Sequence, residues 1–384
     1  MKVAVLGYGT VGAGVYSMLS DAPGMEAGPV LVRPGKAVES FMVSDAALIF
    51  GDPTVDAVVE TLGGLDPAYS YGMRALEAGK HFITANKAMV AAHGLELAAL
   101  AREKGAAFLF SAACGGGVPF LHNLALSAET DRIEAVSGIL NGTTNYMLDA
   151  MQRRSLSYGD ALREAQSLGY AESDPTADVS GLDALRKMQL ACAVAFGVLP
   201  QSGMLCEGME HFTAADVEDI QSRGLVCRLM ARGSRAGESV SAYVEPVLFP
   251  RAAPESSVFT NNNMARYTGK RCGSIALMGQ GAGRFPTASA VLRDLAAAQQ
   301  GARSMFPENC RAAEADNREA VHSYYIRTGG FAAVRLPLRS VLAQGEVVHA
   351  VTEPMSAEKM HALAQNIRKD GNDLFFAALE EELC

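Results

Sequence analysis

Four charged side chains in one stretch have the types and the spacing for acid–base and ion-binding chemistry. Asp183 and Lys187 stand four residues apart in a predicted helix, so they share a face. Glu172 and Asp178 lie in the loop just before that helix and could fold over the same face. Three carboxylates suit a substrate that carries an ammonium group, and a lysine can relay a proton. Taken alone, Asp183 and Lys187 would more simply form an ordinary surface ion pair.

A lysine is a poor proton relay at neutral pH, because its ordinary pKa is about 10.4. Burial or a neighbouring cation would lower that pKa. Lys87, which follows a predicted strand, could be the neighbouring cation. We therefore expect the pKa of Lys187 to be lowered.

A glycine-rich loop at the N-terminus has the spacing of a dinucleotide-binding turn. It directly follows a predicted strand, opens a predicted helix, and reads Gly7-Tyr8-Gly9-Thr10-Val11-Gly12. The first glycine permits the turn, the second lets the backbone approach a pyrophosphate, and the third lets helix and strand pack closely. The helix N-terminus adds N–H donors for the phosphates. The alternative is a strand–helix turn that binds no ligand.

The end of the second predicted strand indicates which nicotinamide nucleotide fits. A carboxylate there would accept the ribose 2′-hydroxyl of NAD, whereas cations favour the 2′-phosphate of NADP. The strand ends at Arg33, with Lys36 close behind and no acidic residue at its tip. These residues predict NADP, with NAD possible as a cofactor. Alternatively, both are solvated surface cations, since Glu39 lies near.

Strands alternate with helices through the first hundred residues, which is typical of a parallel, doubly wound α/β sheet. The predicted strands cover residues 2–6, 30–32, 57–60, 81–84 and 107–110, and predicted helices cover 67–77 and 95–104. Beyond a turn at 114–119 we predict a strand at 133–140, helices at 147–168 and 182–195, and a strand at 240–249.

Three parts of the chain follow from this pattern. Residues 1–113 form a predicted Rossmann domain for NADP, completed by a return helix at about 285–310. Residues 114–284 form a predicted α+β domain for substrate binding and dimerisation. After a polar, linker-like stretch, residues 318–384 form a small α+β appendage.

Composition excludes several classes of partner. The 384 residues carry a formal net charge of −9, whereas a nucleic-acid binder needs a basic face. No apolar run is long enough to span a bilayer, and no charged leader precedes the first strand, so we expect a cytoplasmic protein with a small-molecule substrate. The seven cysteines lack CxxC spacing, which argues against a disulfide framework or a zinc site.

Three segments resemble the homoserine dehydrogenase family in order and spacing. They read Thr84-Ala85-Asn86-Lys87, then Gly138-Ile139-Leu140-Asn141-Gly142-Thr143-Thr144-Asn145-Tyr146, then the run from Gly169-Tyr170-Ala171-Glu172 through Asp183 to Lys187. With the N-terminal loop and the stretch 281–288, the resemblance covers roughly residues 1–310. It implies an NADP-dependent enzyme that interconverts L-homoserine and L-aspartate 4-semialdehyde in threonine and methionine biosynthesis, and a homodimer or higher homo-oligomer.

The resemblance also implies residue roles. Lys187 would donate and accept the proton with Asp183 beside it, Lys87 would contact cofactor and substrate, and Glu172 would bind the substrate amine. Further implied contacts are Asp178, Gly142, Thr143 and Tyr170 for the substrate, and Thr84 and Gly283 for the cofactor. From the residues alone, Thr143 and Asn145 could equally cap a loop.

One departure from the family concerns a cation. In the family, a glutamate and carbonyls of the glycine-rich loop that follows it hold a monovalent cation, typically sodium. Here Ser111 stands at the glutamate position, although Cys114, Gly116 and Val118 keep the loop. A hard cation has thereby lost its formal counter-charge, so we expect a weakened or lost site. Cys114 is expected to be a packing residue, or else a thiol sensitive to oxidation.

The other departure lies in the C-terminal part. Residues 322–327 resemble the first strand of an ACT domain, a βαββαβ amino-acid sensor. The turn that opens the first ACT helix is absent from 331–342, and the segment before Val347 is too short for a full helix and second strand. We predict a truncated ACT-like domain. Both departures leave a rival hypothesis open, a non-catalytic NADP-binding or amino-acid-sensing paralogue.

Overall fold

The computed structural model describes residues 1–380, so Cys384 lies outside the described residues. The N-terminal part alternates strands and helices as predicted. Its elements are β1 (Lys2–Leu6), α1 (Thr10–Leu19), β2 (Glu26–Leu31), β3 (Met42–Val43), α2 (Ala47–Phe50), β4 (Ala57–Glu60), α3 (Ala68–Glu77), β5 (His81–Thr84), α4 (Lys87–Lys104) and β6 (Phe108–Leu109).

These strands form a six-stranded sheet in the order β3-β2-β1-β4-β5-β6, and every neighbouring pair is parallel. This is the order of a doubly wound dinucleotide-binding fold, whose crevice lies beyond the carboxyl ends of the strands where the order reverses. The central strands are buried on both faces, as a parallel sheet covered by helices requires.

The middle of the chain forms an α+β part. Its elements are α5 (Phe120–Thr130), β7 (Ile133–Ile139), α6 (Gly142–Arg154), α7 (Tyr158–Ser167), α8 (Thr176–Val179), α9 (Leu182–Phe196), β8 (Val198–Ser202), β9 (Leu205–Cys206), α10 (Ala214–Ser222), β10 (Leu225–Ala236), β11 (Ser239–Pro250), β12 (Asn262–Gly269), β13 (Gly273–Gln280), α11 (Arg284–Gln299) and β14 (Arg311–Glu314). Helix α11 returns to pack on α1, which agrees with the predicted return helix but ends earlier, at Gln299.

The structure corrects two predictions in this part. The predicted helix at 147–168 is two helices, because Ser155 adopts a left-handed conformation and the Ser157 side chain caps α7. The polar stretch predicted as a linker begins within β14, which pairs with β8.

The C-terminal part contains β15 (Val321–His322), β16 (Tyr324–Gly329), α12 (Gly330–Ala333), β17 (Leu338–Gln344), β18 (Val347–Thr352), β19 (Met355–Ser356), α13 (Ala357–Lys369) and β20 (Leu374–Leu379). As predicted, the segment before Val347 does not hold both a full helix and a second strand. The first helix shrinks to four residues, and this leaves enough chain for β17.

The C-terminal strands continue the sheet of the middle part. The order is β13-β12-β7-β10-β11-β20-β16-β18-β17, with β9 also paired to β11. Strand β20 is buried at every position and runs parallel to β11. The predicted appendage therefore shares a sheet with the predicted substrate domain.

Candidate active site

The glycine-rich loop lies at the crevice of the six-stranded sheet. Gly7 has a φ of 99°, which favours glycine, and a Cβ at Gly12 would lie 2.1 Å from the carbonyl oxygen of Gly7. A Cβ at Gly9 would meet nothing within 4 Å, so the backbone is open there to a close ligand. Thr10 and Val11 begin α1, whose N-terminus faces this space. The loop geometry fits a pyrophosphate.

A cleft of about 1110 Å³ extends from this loop along the end of β2. Arg33 and Lys36 both line it and are not engaged in a salt bridge within the described residues. An aromatic cluster that the sequence reasoning missed lies at its side: Tyr16 stacks on Phe41 at 4.3 Å between ring centroids, and Tyr8 packs on both. The volume and lining of this cleft suit one half of a nicotinamide dinucleotide.

Thr84 is not among the residues that line this cleft, so its contact with the cofactor stays a prediction. Its hydroxyl donates to Glu60 Oε2 at 2.5 Å and accepts from the backbone N–H of Asn86. Glu60 is fully buried, and its other oxygen accepts from the N–H groups of Leu62 and Gly63. Thr84 therefore supports the loop after β4. Sequence reasoning did not single out Glu60. Its signal is that an acidic residue ends an otherwise apolar strand.

A second cleft of about 760 Å³ lies where the six-stranded sheet meets the α+β part. It brings together most of the predicted substrate residues, which line it as follows: Lys87, Gly142, Thr143, Tyr170, Glu172, Asp178, Asp183 and Lys187, with Gly116 and Gly283 from the neighbouring loops. The side chain of Glu172 is exposed at the rim. The cleft is more polar than the first, as a charged substrate requires.

Asp183 is the centre of this second cleft. Its Oδ1 lies 2.8 Å from Lys87 Nζ and its Oδ2 lies 2.7 Å from Lys187 Nζ. Only 8% of Asp183 is exposed, so the three groups form a largely buried cluster rather than the ordinary surface pair that the spacing alone allowed. Helix α9 can begin this close to β11 because its N-cap is Gly181 in a left-handed conformation, where a Cβ would lie 3.0 Å from Val244.

The pKa of Lys187 differs from the prediction. Burial disfavours its charge, but the attraction and hydrogen bond of Asp183 outweigh burial and raise its pKa above the ordinary value. Asp183 has a lowered pKa, because the two lysines outweigh its own burial. The lowered pKa that Lys87 could have produced is therefore not found, because Asp183 lies between the two lysines and its attraction for Lys187 outweighs burial.

The junction of β7 and α6 supports this cluster. The carbonyl of Leu140 accepts from Lys187 Nζ at 2.6 Å, and the amide of Asn141 donates to both Asp178 and Asp183. The hydroxyl of Thr143 lies 2.5 Å from the carbonyl oxygen of Tyr170 and 3.1 Å from Asp178 Oδ2, so its one proton can be donated to either. Sequence reasoning assigned no role to Asn141, although it lies directly after a buried strand and within the second segment that resembles the family.

Thr143 and Asn145, which from the residues alone could both cap a loop, have different roles in the structure. Asn141 is the N-cap of α6, since its Oδ1 accepts from Thr144 N, and Thr143 points into the cleft. Asn145 is buried and donates to the carbonyls of Val258, Thr260 and Asn262, so it holds a loop.

The loop at Ser111 is the place where the family holds a monovalent cation, and its polar groups are already engaged by neighbouring residues. The N–H and hydroxyl of Ser111 both donate to the buried carboxylate of Asp294, at 2.8 and 2.5 Å. Its carbonyl accepts from Cys114 N, and the carbonyl of Val118 accepts from Phe120 N. The side chain of Arg293 donates to the carbonyl of Gly117 at 2.9 Å and brings a positive charge to the loop.

These contacts do not suit a bound cation. A protein N–H group already uses one lone pair on each of the carbonyls of Ser111 and Val118, and a guanidinium already interacts with the loop. A Cβ at Gly116 would lie 2.4 Å from Gly281, so the loop is tightly packed against its neighbour. The residues of this loop therefore fit a sodium ion poorly.

The cysteines behave as packing residues where the structure describes them. Cys114 is fully buried, and burial raises its pKa to about 12, which keeps the thiol protonated and unreactive. The six cysteines within residues 1–380 are free, and no group of three potential metal-ligating side chains occurs in that range. None of the helices in that range is both long and apolar enough to cross a membrane.

A doubly wound dinucleotide fold that opens beside a buried lysine–carboxylate cleft defines a nicotinamide-dependent oxidoreductase. The chain is 38% identical over 317 residues to homoserine dehydrogenase from Corynebacterium glutamicum, a match that covers 77% of this chain and 71% of the relative. It is 37% identical over 319 residues to the enzyme from Synechocystis, with 77% and 72% covered. The chain belongs to the homoserine dehydrogenase family.

Two further comparisons agree. The family model for homoserine dehydrogenase matches residues 119–296, and the model for its NAD-binding domain matches residues 7–111. A solved homoserine dehydrogenase from Thiobacillus denitrificans covers 99% of this chain and 98% of its own, with a TM-score of 0.87 and 29% identity. Since neither family model reaches residues 318–384, the ACT-like character of that part stays a prediction.

Proposed function

We propose that the chain catalyses the NADP-dependent interconversion of L-homoserine and L-aspartate 4-semialdehyde, in threonine and methionine biosynthesis, with Lys187 as proton donor and acceptor. The observation that carries this proposal is the buried Lys87–Asp183–Lys187 cluster in the second cleft. A lysine ammonium has three N–H donors. Among the described residues, Leu140 and Asp183 engage two of them, which leaves one for the substrate oxygen.

The other end of the cleft suits the amino-acid part of the substrate. Glu172 lies at the rim, Asp178 lies deeper, and the carbonyl of Tyr170 is held by Thr143. Two carboxylates and a carbonyl are acceptors for an ammonium group. Lys87 brings a positive charge to the same cleft, which suits the substrate carboxylate as well as the cofactor. These groups support an amino acid rather than a simple alcohol as substrate.

The proton step uses residues of the chain. When bound, NADP supplies the acceptor for the hydride that leaves the substrate C4 carbon. In oxidation, neutral Lys187 takes the hydroxyl proton as the carbonyl forms; in reduction, protonated Lys187 returns a proton to the carbonyl oxygen. Asp183 orients Lys187 in both directions through the 2.7 Å hydrogen bond. Positioning of the two reacting carbons accounts for much of the expected rate.

The NADP preference is proposed from Arg33 and Lys36. Both line the first cleft at the end of β2, where a 2′-phosphate would lie, and Arg33 offers the planar fork that phosphate accepts. We expect Arg33→Ala to raise KM for NADP about tenfold and to leave KM for NAD within twofold, because one charge-assisted contact is worth about 1.5–3 kcal/mol. An unchanged ratio of the two constants would refute this role. Arg271→Ala, an exposed site on the β12–β13 turn, is the matched control.

One assay tests the function. Purified protein is supplied with L-homoserine and either NADP or NAD, and nicotinamide reduction is followed by absorbance. We expect turnover, with NADP preferred. Binding of NADPH without turnover on homoserine would favour the non-catalytic paralogue, and neither binding nor turnover would exclude both hypotheses.

The same assay tests the cation. Because the loop at Ser111 fits sodium poorly, we expect equal rates and equal melting temperatures in sodium, potassium and choline chloride at matched ionic strength. A saturable rise of both quantities in sodium alone would contradict this expectation.

We also propose a homodimer. Strand β13 is an open edge that alternates exposed and half-buried residues, with Met278 62% exposed. An unpaired edge of eight residues with exposed apolar side chains is a ready surface for a second copy. Light scattering on the purified protein measures the mass, and a monomer at micromolar concentration would contradict the proposal.

A further inference from the structure

Asn141 contacts both aspartates of the second cleft. Its Nδ2 donates to Asp178 Oδ1 at 2.7 Å and to Asp183 Oδ2 at 2.9 Å. Its Oδ1 accepts from the backbone N–H of Thr144 at 2.8 Å and from the Thr144 hydroxyl at 3.0 Å. The side chain is 5% exposed. One amide therefore connects two carboxylates to the first turn of α6.

The orientation of this amide is determined by its partners. The N-terminal N–H of a helix can only donate, so the oxygen of Asn141 must face Thr144 and the –NH₂ group must face the carboxylates. Both protons of the –NH₂ group are then used, one on each aspartate. A side chain with an oxygen at that place could not serve both ionised carboxylates.

We propose that Asn141 is a positioning residue that holds Asp178 and Asp183 ionised side by side, and thereby makes the cleft selective for substrates that carry an ammonium group. The inference rests on the proposed function. Asp183 serves the lysines and Asp178 faces the substrate, so the two charges have different tasks although they lie close together. Asn141 is the neutral donor that both share.

The charges around Asp178 show why a donor is needed. Burial is the main factor that raises its pKa, and the negative charge of Asp183 raises it further. The hydrogen bonds of Asn141 and Thr143 and the charge of Lys187 oppose this rise. Glu172 adds a further negative group at the rim. Without the Asn141 amide, Asp178 would take up a proton at a higher pH and lose its attraction for an ammonium group.

Two variants test the proposal, and both keep the helix cap. Asn141→Ser retains a good N-cap but replaces the two amide protons with a single hydroxyl proton on a shorter side chain, which cannot serve both aspartates. Asn141→Asp retains cap and shape but replaces the donor with a third carboxyl group. We expect the acidic limb of the pH profile of kcat/KM for L-homoserine to move to higher pH in both variants. The shift should be larger in Asn141→Asp. At pH 6.5 kcat/KM should fall at least tenfold, and KM for NADP should stay within twofold. An unmoved limb with kcat/KM within twofold of the wild type would overturn the proposal.

Asn145→Ser is the matched control. Asn145 is equally buried on the same helix but binds only loop carbonyls, so its loss should lower the melting temperature without moving the acidic limb. An equal shift of the limb in Asn145→Ser would show that loosening of α6, rather than the shared amide, is responsible.

A second measurement does not depend on turnover. Protein labelled with ¹³C at the aspartate carboxyl carbons is titrated by NMR, and the Asp178 signal is identified as the one absent from Asp178→Asn. We expect this signal to titrate at a higher pH in Asn141→Ser than in the wild type, even if homoserine proves not to be the substrate. The same titration midpoint in both proteins would overturn the proposal; a shifted midpoint in a protein inactive on homoserine would refute only the proposed function.

Discussion

Asp183 binds more partners than any other charged residue of the second cleft. It accepts from Lys87, Lys187 and Asn141, and its pKa is lowered despite its burial. A carboxylate this buried is stable only when opposite charges and donors surround it. The two lysines and Asp183 are therefore one electrostatic unit, in which both lysines lower the pKa of Asp183 against its burial.

The first prediction at this scale concerns Lys187→Met. We expect kcat to fall at least about 100-fold, because a positioned acid–base group contributes roughly 10²–10⁴-fold. The dissociation constant of NADPH should change less than threefold, since Lys87 still pairs with Asp183. Steady-state kinetics and NADPH fluorescence measure both quantities.

Lys104→Met removes an exposed lysine from the end of α4 and serves as the control. If Lys187→Met lost NADPH binding in proportion to turnover, its role would be in cofactor binding instead.

The second prediction follows from the raised pKa of Lys187. At neutral pH its protonated form predominates, which supplies the acid for reduction of the aldehyde. Oxidation of homoserine needs the neutral amine, whose fraction rises tenfold per pH unit below the pKa. We expect the oxidation rate to climb steadily from pH 7 to pH 10 while the reduction rate stays flat or falls. Parallel profiles in the two directions would mean that Lys187 is not the proton carrier.

At the residue scale, sequence reasoning predicted the convergence of Asp183 and Lys187 because a spacing of four defines one face of a helix. It could not predict that Asp183 lies between Lys187 and Lys87, since that depends on how α9 packs against α4. The wrong sign for the pKa of Lys187 follows directly from that missing distance.

At the scale of elements, the bounds of short apolar strands were predicted more accurately than those of helices. Strands β4 and β5 were predicted with the bounds that the structure has, because a strand buried on both faces reads as a continuous apolar run. The first two turns of α4 were missed, since Gly94 interrupts a helix that is buried in patches rather than along one stripe. Strands β12 and β13 were missed because polar and apolar residues alternate weakly in them.

One pair of elements offers a stability test. Arg327 on β16 donates to Asp216 on α10 at 2.7 Å and also to Asp373, and Asp216 is fully buried. Loss of one partner of a buried ion pair costs about 3–5 kcal/mol. We therefore expect Arg327→Met to lower the free energy of unfolding by that amount in urea denaturation.

Arg335 provides the comparison, because it forms an exposed ion pair with Asp370 in the same part of the chain. Arg335→Met should cost about 0–1 kcal/mol. An equal loss of unfolding free energy in the two variants would mean that the buried ion pair stabilises the protein no more than the exposed one.

At the scale of the whole molecule, the C-terminal part shares both a sheet and an apolar cluster with the middle part. Ile139, Met230 and Phe249 of the substrate part share an apolar cluster with Ile326 and Phe376 of the C-terminal part. Sequence reasoning divided the chain at 318 because composition changes there, but composition does not reveal which strands will pair. Non-local pairing such as that of β11 with β20 has no local signal.

Removal of residues 318–384 should therefore damage more than an appendage. It would expose the edge of β11 and one side of the shared apolar cluster. We expect the shortened protein to aggregate or to melt at least 10 °C below the full chain, as measured by size exclusion and thermal denaturation. A monodisperse, active fragment with an unchanged melting temperature would show that the C-terminal part is an independent domain.

The position of β20 also dictates an order of assembly during synthesis. This strand lies between β11 and β16 in the sheet, yet it is translated after both of them. While the ribosome is still making residues 250–373, β11 is complete but lacks its neighbour, and its free amide edge and apolar side chains are open to other nascent chains. The long sheet is joined only when residues 374–379 emerge, so we expect a chaperone that shields apolar strands to raise the yield of soluble protein.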